Sequence, residues 1–396
     1  MKKYFVFLAA AAALVACSKS ELVPVTTETE TEISYTVAPK VRSTVNDFDQ
    51  KWKFMSVAYY LANKDASKTD QTWKTHTDTP TEYINAEISY NSGDNVWRNA
   101  TKKYYWPKDG KLTFFAYTNV TESLVDDKSG TGKGTSTYTQ EQEAYITPAV
   151  TAENGVVYKK YDVVTNKNVD ILVADISVDN TKNLDTDYST NYTDSRKNKF
   201  TGVPTLFRHK LSKVIFTAQT VNEKGAEYDY KTTDGITFIL NSIKFTKIDK
   251  VNTYTQTAEA GALGSWSTTA SDITEDNQTY YDKGTGTGVD ITKTIVGLYA
   301  DGNQYYYLPQ NFEAQTEGSA TKDYFTVNYT IKYANGTEET IDQVCIMNNS
   351  DSAKSVFNKW EMAKVYYINL KFSLNEILWD PAVEDWTEET KPVTIG

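Results

Sequence analysis

In Ile33-Ser34-Tyr35-Thr36-Val37-Ala38 large apolar side chains alternate with small or polar ones, the period of a strand that buries one face and wets the other. Outward from there the same period keeps returning. Val57, Tyr59 and Leu61 fall on one face of Trp52–Leu61. Further strand candidates are Tyr83–Tyr90, Lys102–Trp106, Leu112–Tyr117 and Val169–Ala174. Ile236–Ile248, Val289–Tyr299, Gln304–Leu308, Tyr324–Tyr333 and Val365–Phe372 follow. Gly, Asn, Asp and Pro stand between them, as turns require. The chain closes with Ile377–Trp379, Val383–Trp386 and Val393–Ile395. Ser355–Met362 is expected to form a short helix or turn, and no long 3.6-residue period occurs. This pattern predicts an all-β chain of antiparallel sandwiches. The 29 tyrosines agree with it, since aromatic and β-branched residues suit pleated, half-buried surfaces.

A length of 396 residues leaves room for about two domains. The strand pattern restarts at Val203 with Leu206-Phe207-Arg208-His209-Lys210-Leu211-Ser212-Lys213-Val214-Ile215-Phe216-Thr217. We therefore expect a boundary near Pro204, with one sandwich over 43–204 and another over 205–396.

On the N-terminal side of Ile33 the reading changes. Lys2 and Lys3 precede an apolar run from Tyr4 to Ala16, which ends in Leu14-Val15-Ala16-Cys17. A basic head, a short apolar stretch and small residues before a cut describe a secretory signal peptide over 1–16. The run is shorter than the roughly 20 residues that a permanent membrane helix needs. Leu-Val-Ala-Cys resembles a bacterial lipobox, which implies that the Cys17 thiol is acylated (palmitate is the expected chain) and becomes the mature N-terminus. Ser18–Glu32 is a polar Thr/Glu tether. Arg42, in Lys40-Val41-Arg42-Ser43-Thr44, stands in an open context. The only other cysteine is Cys345, so an exported chain has no pair for an internal disulfide. Its stability must come from packing.

Several segments together resemble the fimbrillin family, the pilins of type V fimbriae in Bacteroidales. They are the Cys17 lipobox, the Arg42 site, and Tyr104-Tyr105-Trp106-Pro107 followed by Leu112-Thr113-Phe114-Phe115-Ala116-Tyr117. Val169-Asp170-Ile171-Leu172-Val173-Ala174, Phe207–Lys213 and Tyr306-Tyr307-Leu308-Pro309-Gln310 come next, and Ile377–Trp386 completes the set. Each is short; their order covers nearly the whole chain. The resemblance implies two tandem transthyretin-like β-sandwich domains and export as an outer-membrane lipoprotein. It also implies assembly into an extracellular fimbrium after a trypsin-like, Arg-specific protease cuts between Arg42 and Ser43. Residues 17–42 would then be a tether and removable first strand, with Ile33, Tyr35 and Val37 as its inward side chains. The candidate donor is the C-terminal stretch bearing Ile377, Trp379, Val383, Trp386, Val393 and Ile395. Partners would be other fimbrial subunits, in a shaft role, with tip and anchor roles as alternatives. The host or bacterial receptor is not legible in the sequence.

Other chemistry finds little support. A net charge of −11 argues against nucleic acid, which needs clustered Lys and Arg. His76 and His209 lack partners at metal-ligand spacing, so no metal or cofactor is expected. No Gly-x-Ser-x-Gly elbow is present, and we read the chain as no enzyme. Gly130-Thr131-Gly132-Lys133-Gly134-Thr135 lacks the spacer of a phosphate loop, and Gly284–Gly288 reads as a turn. Asp185 and Asp187 lack the remaining ligands of a calcium loop. The aromatic runs Tyr305–Tyr307 and Tyr104–Trp106 raise one rival of another class, a surface glycan-binding lipoprotein. We read their tyrosines instead as alternating between sandwich interior and exterior.

Overall fold

The computed structural model describes residues 30–37, 48–62, 71–125, 130–140, 146–181, 202–257, 263–299, 304–351, 357–375 and 377–386. Among these residues it is almost entirely β, with one helical turn at Tyr230–Thr233 capped by Asp229.

The first sheet runs Val203–Thr205, Tyr35–Val37, Val96–Arg98, Thr81–Asn91, Lys53–Leu61, Lys111–Val125, Val169–Ala174, Phe207–His209. Its two outermost strands are separated in sequence by Leu206 alone. A flat sheet cannot satisfy that constraint. The sheet therefore curls until its edges meet, and the Leu206 carbonyl accepts from the Asp175 N–H at 2.9 Å. Enclosed within it is a core of Ile33, Tyr35, Phe54, Ile84, Ile88, Trp97, Leu112, Phe114, Leu172 and Phe207, with others.

Directly after the closing strand, Ser212–Thr220 opens the second sheet. It lies between Val296–Gly297 and Lys364–Phe372, with Leu378–Asp385 at the far edge. A third sheet orders Glu338–Ile346, Tyr324–Lys332, Thr237–Thr255, Gly155–Asp162 and Ala149–Thr151. The 19-residue strand Thr237–Thr255 pairs with Tyr324–Lys332 along its first part. Its last part, from Val251, pairs with Gly155–Asp162 from the first half of the chain. Phe216 from the second sheet meets Phe325 and Tyr280 from the third edge to face.

Most pairings are antiparallel, as the turn pattern requires. Among the described strands two pairs are parallel: Tyr35–Val37 with Val203–Thr205, and Ser212–Thr220 with Lys364–Phe372. Period-2 patterning fixes which face a strand buries and is blind to its direction. The expected strand at Lys102–Trp106 is only a bridge from Tyr105 to Glu32. The expected helix or turn at 355–362 contains, in its described part, a two-residue strand at Lys359–Trp360. Val289–Tyr299 is broken into Val289–Ile291 and Val296–Gly297.

Where the first sheet meets the second, charged side chains are buried. Lys213 donates to Glu122, Tyr306 donates to the other Glu122 oxygen, and His209 pairs with Asp170. Burial holds the Asp170 carboxyl above the ordinary range, against the pull of His209. Glu122 and Asp170 belong to the first sheet; His209 is on its closing strand and Lys213 on the second sheet. The Trp386 ring seals the group, stacked on His209 at 3.9 Å and on Tyr306 at 5.1 Å. Removing one partner of such a pair strands the other charge in a low dielectric. Lys213→Met is expected to lower unfolding stability by about 3–5 kcal/mol in urea titrations. Adding Glu122→Leu should recover part of that loss.

Candidate functional site

The sequence directed attention to the first strand, and its seat is the most specific feature of the fold. Tyr35–Val37 lies inside the first sheet, between Val203–Thr205 and Val96–Arg98. The parallel register sets Tyr35 opposite Val203, Thr36 opposite Pro204 and Val37 opposite Thr205. The Ser34 carbonyl accepts from the Val203 N–H at 2.8 Å, and the Gly202 N–H donates to Thr36 Oγ1 at 3.0 Å. Glycine is needed there, because a Cβ on Gly202 would stand 2.7 Å from the Ser34 oxygen. Just upstream the chain runs antiparallel to 104–106. Ile33 N–H donates to the Tyr104 carbonyl at 2.7 Å, and Trp106 N–H donates to that of Thr31 at 2.9 Å.

The floor of this seat is aromatic. Tyr35 meets Phe54 and Phe114 edge to face, at 5.6 and 5.8 Å between centroids. Ile33 and Tyr35 are buried, and Val37 packs half-buried on the same core. Each such side chain contributes about 1.5–3 kcal/mol. Phe48 closes one end, stacked on Phe207 at 4.7 Å and edge-on to Trp52 and Trp97. Phe48 is a core element that sequence reading missed, since no periodic strand surrounds it. Burial drives the Tyr35 phenol well above the ordinary tyrosine range, with the nearby Ser56 hydroxyl pulling weakly the other way. Neither hydroxyl completes a hydrogen bond of good geometry. The seat therefore selects for bulk and apolar surface and makes little use of the phenol.

The C-terminal candidates divide. Ile377 is buried, and its N–H and carbonyl are both held by the Gln343 side chain at 2.9 Å. Trp386 is buried over the charged cluster, whereas Val383 is half exposed. Between them Leu378–Asp385 forms an eight-residue antiparallel ladder with Lys364–Lys371. Lys133, from the glycine-rich loop, reaches this strand and donates to Glu384 at 2.5 Å. Cys17, Arg42, Ser43, Val393 and Ile395, the Trp379 side chain, and Asp185 and Asp187 lie outside the described residues.

Tyr305, Tyr306 and Tyr307 are all buried, so none offers a face to a sugar. The expected inside-outside alternation fails because the two-residue strand at 306–307 lies between core layers. Tyr104 and Tyr105 are partly exposed, and with Tyr83, Lys102 and Lys103 they line a cleft of about 430 Å³ beside the first strand. His76 sits against the Trp73 carbonyl at 2.6 Å. Among the described residues no group of three His, Cys, Asp or Glu is placed to hold a metal ion.

A larger cleft, of about 710 Å³, is lined by Asp249, Glu275, Asp323 and the buried rings of Trp266 and Trp360. Burial, followed by the repulsion of Glu275 and Asp323, pushes the Asp249 carboxyl up to about 6. Asp323 is pushed up to about 6 chiefly by burial, while the Glu313 N–H opposes the shift.

The all-β fold is similar to that of a solved bacterial fimbrial protein, the crystal structure of a fimbrial protein from Bacteroides vulgatus, with a TM-score of 0.53 and 15% identity. That likeness covers 90% of this chain and 99% of the other. The tip fimbrial protein Mfa3 of Porphyromonas gingivalis (C-terminally truncated) matches at TM-score 0.30 and 10% identity, covering 90% and 100%. A fimbrial assembly protein of Parabacteroides distasonis gives 0.34 and 9%, covering 90% and 99%. These two scores are too low to bear on the argument. No family model matches the sequence, and no curated protein matches it.

Two predictions follow from this geometry. Tyr35→Phe should leave the unfolding midpoint unchanged or slightly raised, while Tyr35→Ala should cost about 3–5 kcal/mol. A loss from Tyr35→Phe comparable to that from Tyr35→Ala would contradict an apolar seat. The second concerns pH. A carboxyl raised in the folded state favours folding most below its unfolded value near 3.8, and that contribution is lost as pH climbs through about 6. Asp249→Asn should therefore raise the thermal midpoint at pH 7.5 and give no gain at pH 4.

Proposed function

We propose that the chain is a structural subunit, in a shaft role, of a cell-surface fimbria. It is exported as a lipoprotein acylated at Cys17 and held at the outer membrane. A trypsin-like, Arg-specific protease then cuts between Arg42 and Ser43, and the freed subunit joins an extracellular fimbrium that serves adhesion. The two sandwiches of this reading divide near Pro204, at residues 43–204 and 205–396.

One observation carries the proposal most directly. The strand holding Ile33 and Tyr35 fills a central place in the first sheet, and the sequence puts Arg42 between it and Phe48, the next core residue. A cut at Arg42 turns a covalent core strand into one that can leave. The vacated place would present unpaired backbone groups along two strands and an apolar floor, a site made to accept an added strand. A C-terminal strand from a second subunit is the proposed occupant. Tip and anchor subunits remain the alternatives within this class. The glycan-binding alternative loses one support, since Tyr305–Tyr307 are buried.

The test is assembly. Lipid-free chain (Cys17→Ala) treated with an arginine-specific protease should acquire Ser43 as its N-terminus and form SDS-resistant ladders. Arg42→Ala should stay monomeric under the same treatment. Ladders from Arg42→Ala, or a cleaved wild-type chain that stays monomeric, would overturn this reading.

A further inference from the structure

The seat of the first strand has a charged rim as well as an apolar floor. From Val96 to Lys108 the sequence holds Arg98, Lys102, Lys103 and Lys108 and no acidic residue, within a chain of net charge −11. Three of these cations line the 430 Å³ cleft, together with Glu30 and Thr31 of the segment that leads into the first strand. Lys103 Nζ lies 3.1 Å from Glu32, with its side chain 61% exposed, and Arg98 lies 3.7 Å from the same carboxylate while also pairing with Asp94. Lys102 sits over the Tyr104 ring at 4.6 Å and is exposed to solvent.

Glu30 and Glu32 on this rim, with Glu28 before them in the sequence, precede the apolar alternation Ile33, Tyr35, Val37. The candidate donor stretch has a related order, with Thr390, Lys391 and Pro392 between its acidic and apolar parts. Glu388 and Glu389 precede Val393 and Ile395 at the C-terminus. The shared feature is an acidic flank followed by apolar residues two apart.

Resting on the strand-exchange reading above, we infer that the basic rim Arg98–Lys108 recognises the acidic flank of whichever strand fills the seat. In the uncut chain that flank is Glu28–Glu32 of the same molecule. After processing it is Glu388–Glu389 of a second copy. The two flanks compete for one rim, so the leader both fills the floor and blocks the charges that steer its replacement. Charges of opposite sign steer encounter and raise association rates at low salt. The Debye length falls from about 10 Å at 0.1 M to about 3 Å at 1 M, so the preference should vanish in high salt. The apolar floor, by contrast, is indifferent to salt on this scale.

The experiment compares full-length, lipid-free chains altered on the rim, on the tail or on both. The rim variant carries Lys102→Glu and Lys103→Glu, both at exposed positions, and its circular dichroism and thermal midpoint before cleavage serve as the folding control. An arginine-specific protease releases Ser43 without cutting at the altered lysines. Ladder formation by this variant should be roughly tenfold slower than wild type at 0.05 M NaCl and equal to it at 1 M. Reversing the donor stretch by Glu388→Lys and Glu389→Lys should slow ladders when made alone and restore the rate when made in the same chain as the altered rim. A rim variant that assembles at the wild-type rate in low salt, or one that the reversed donor stretch does not rescue, overturns the rim's role while wild-type ladders leave strand exchange standing. If wild-type chain forms no ladders at any salt concentration, strand exchange itself fails and the rim proposal falls with it.

Discussion

The first core is closed by a strand that hardly belongs to the body it closes. Tyr35–Val37 has three ladder residues in common with Val203–Thr205 and a single paired residue, Tyr35 with Trp97, on its other side. Yet the floor beneath it, Phe54, Phe114 and Trp97, is buried only while something of similar bulk lies across. Apolar burial supplies most of what holds it, and burial is indifferent to which chain supplies the side chains. Backbone pairing adds direction without adding identity. This combination explains the parallel pairing as well. Val203–Thr205 arrives at the end of the first sheet, and Leu206 must carry the chain at once to the opposite edge, so its direction is set by closure and not by a hairpin.

Much of this was legible in the sequence, for identifiable reasons. Alternation at Ile33, Tyr35 and Val37 marks a one-sided strand whatever its neighbours, and Ile33 and Tyr35 are indeed core residues. The strand at Val169–Ala174 was read to the residue because its apolar run is bounded by turn residues on both sides. Lys102–Trp106 reads as a strand in the sequence, but its ladder pairing is the single bridge from Tyr105 to Glu32. Parallel pairing, the closure through Leu206 and the return of Gly155–Asp162 to the third sheet leave no local trace, because they depend on partners far away in the chain. Phe48 was missed for the converse reason. It is a single ring inserted from a non-periodic segment.

The charges of Phe207–Lys213 show how a local oddity can hold structural information. Arg208, His209, Lys210 and Lys213 interrupt the apolar residues of this run, and surface placement of His209 and Lys213 would be the simplest expectation. They are instead buried, each matched by a carboxylate from the first sheet. Matched burial of this kind does little for net stability, yet it penalises any arrangement that separates the partners. The two sheets are thus held in one relative position by charges that no other packing would satisfy, with Trp386 excluding water from above.

The two ends of the described chain are held with unequal strength, and the inequality has a direction. Leu378–Asp385 is an eight-pair ladder fixed at one end by Ile377 under Gln343 and at the other by Trp386 over the charged cluster. Lifting it would expose buried charge. Lifting Tyr35–Val37 would expose apolar surface and three ladder residues, and no buried ion. Local opening follows the least costly route, through segments with few ladder bonds and few buried partners. Within this one chain, then, the first strand is the segment more easily surrendered, and the strand ending at Trp386 is the one that stays. Any exchange between copies has to use chain beyond Trp386 or else first break the cluster that joins the sheets. The fold thus leaves the N-terminal strand the easier of the two to lift and roots the C-terminal strand beside the charged cluster.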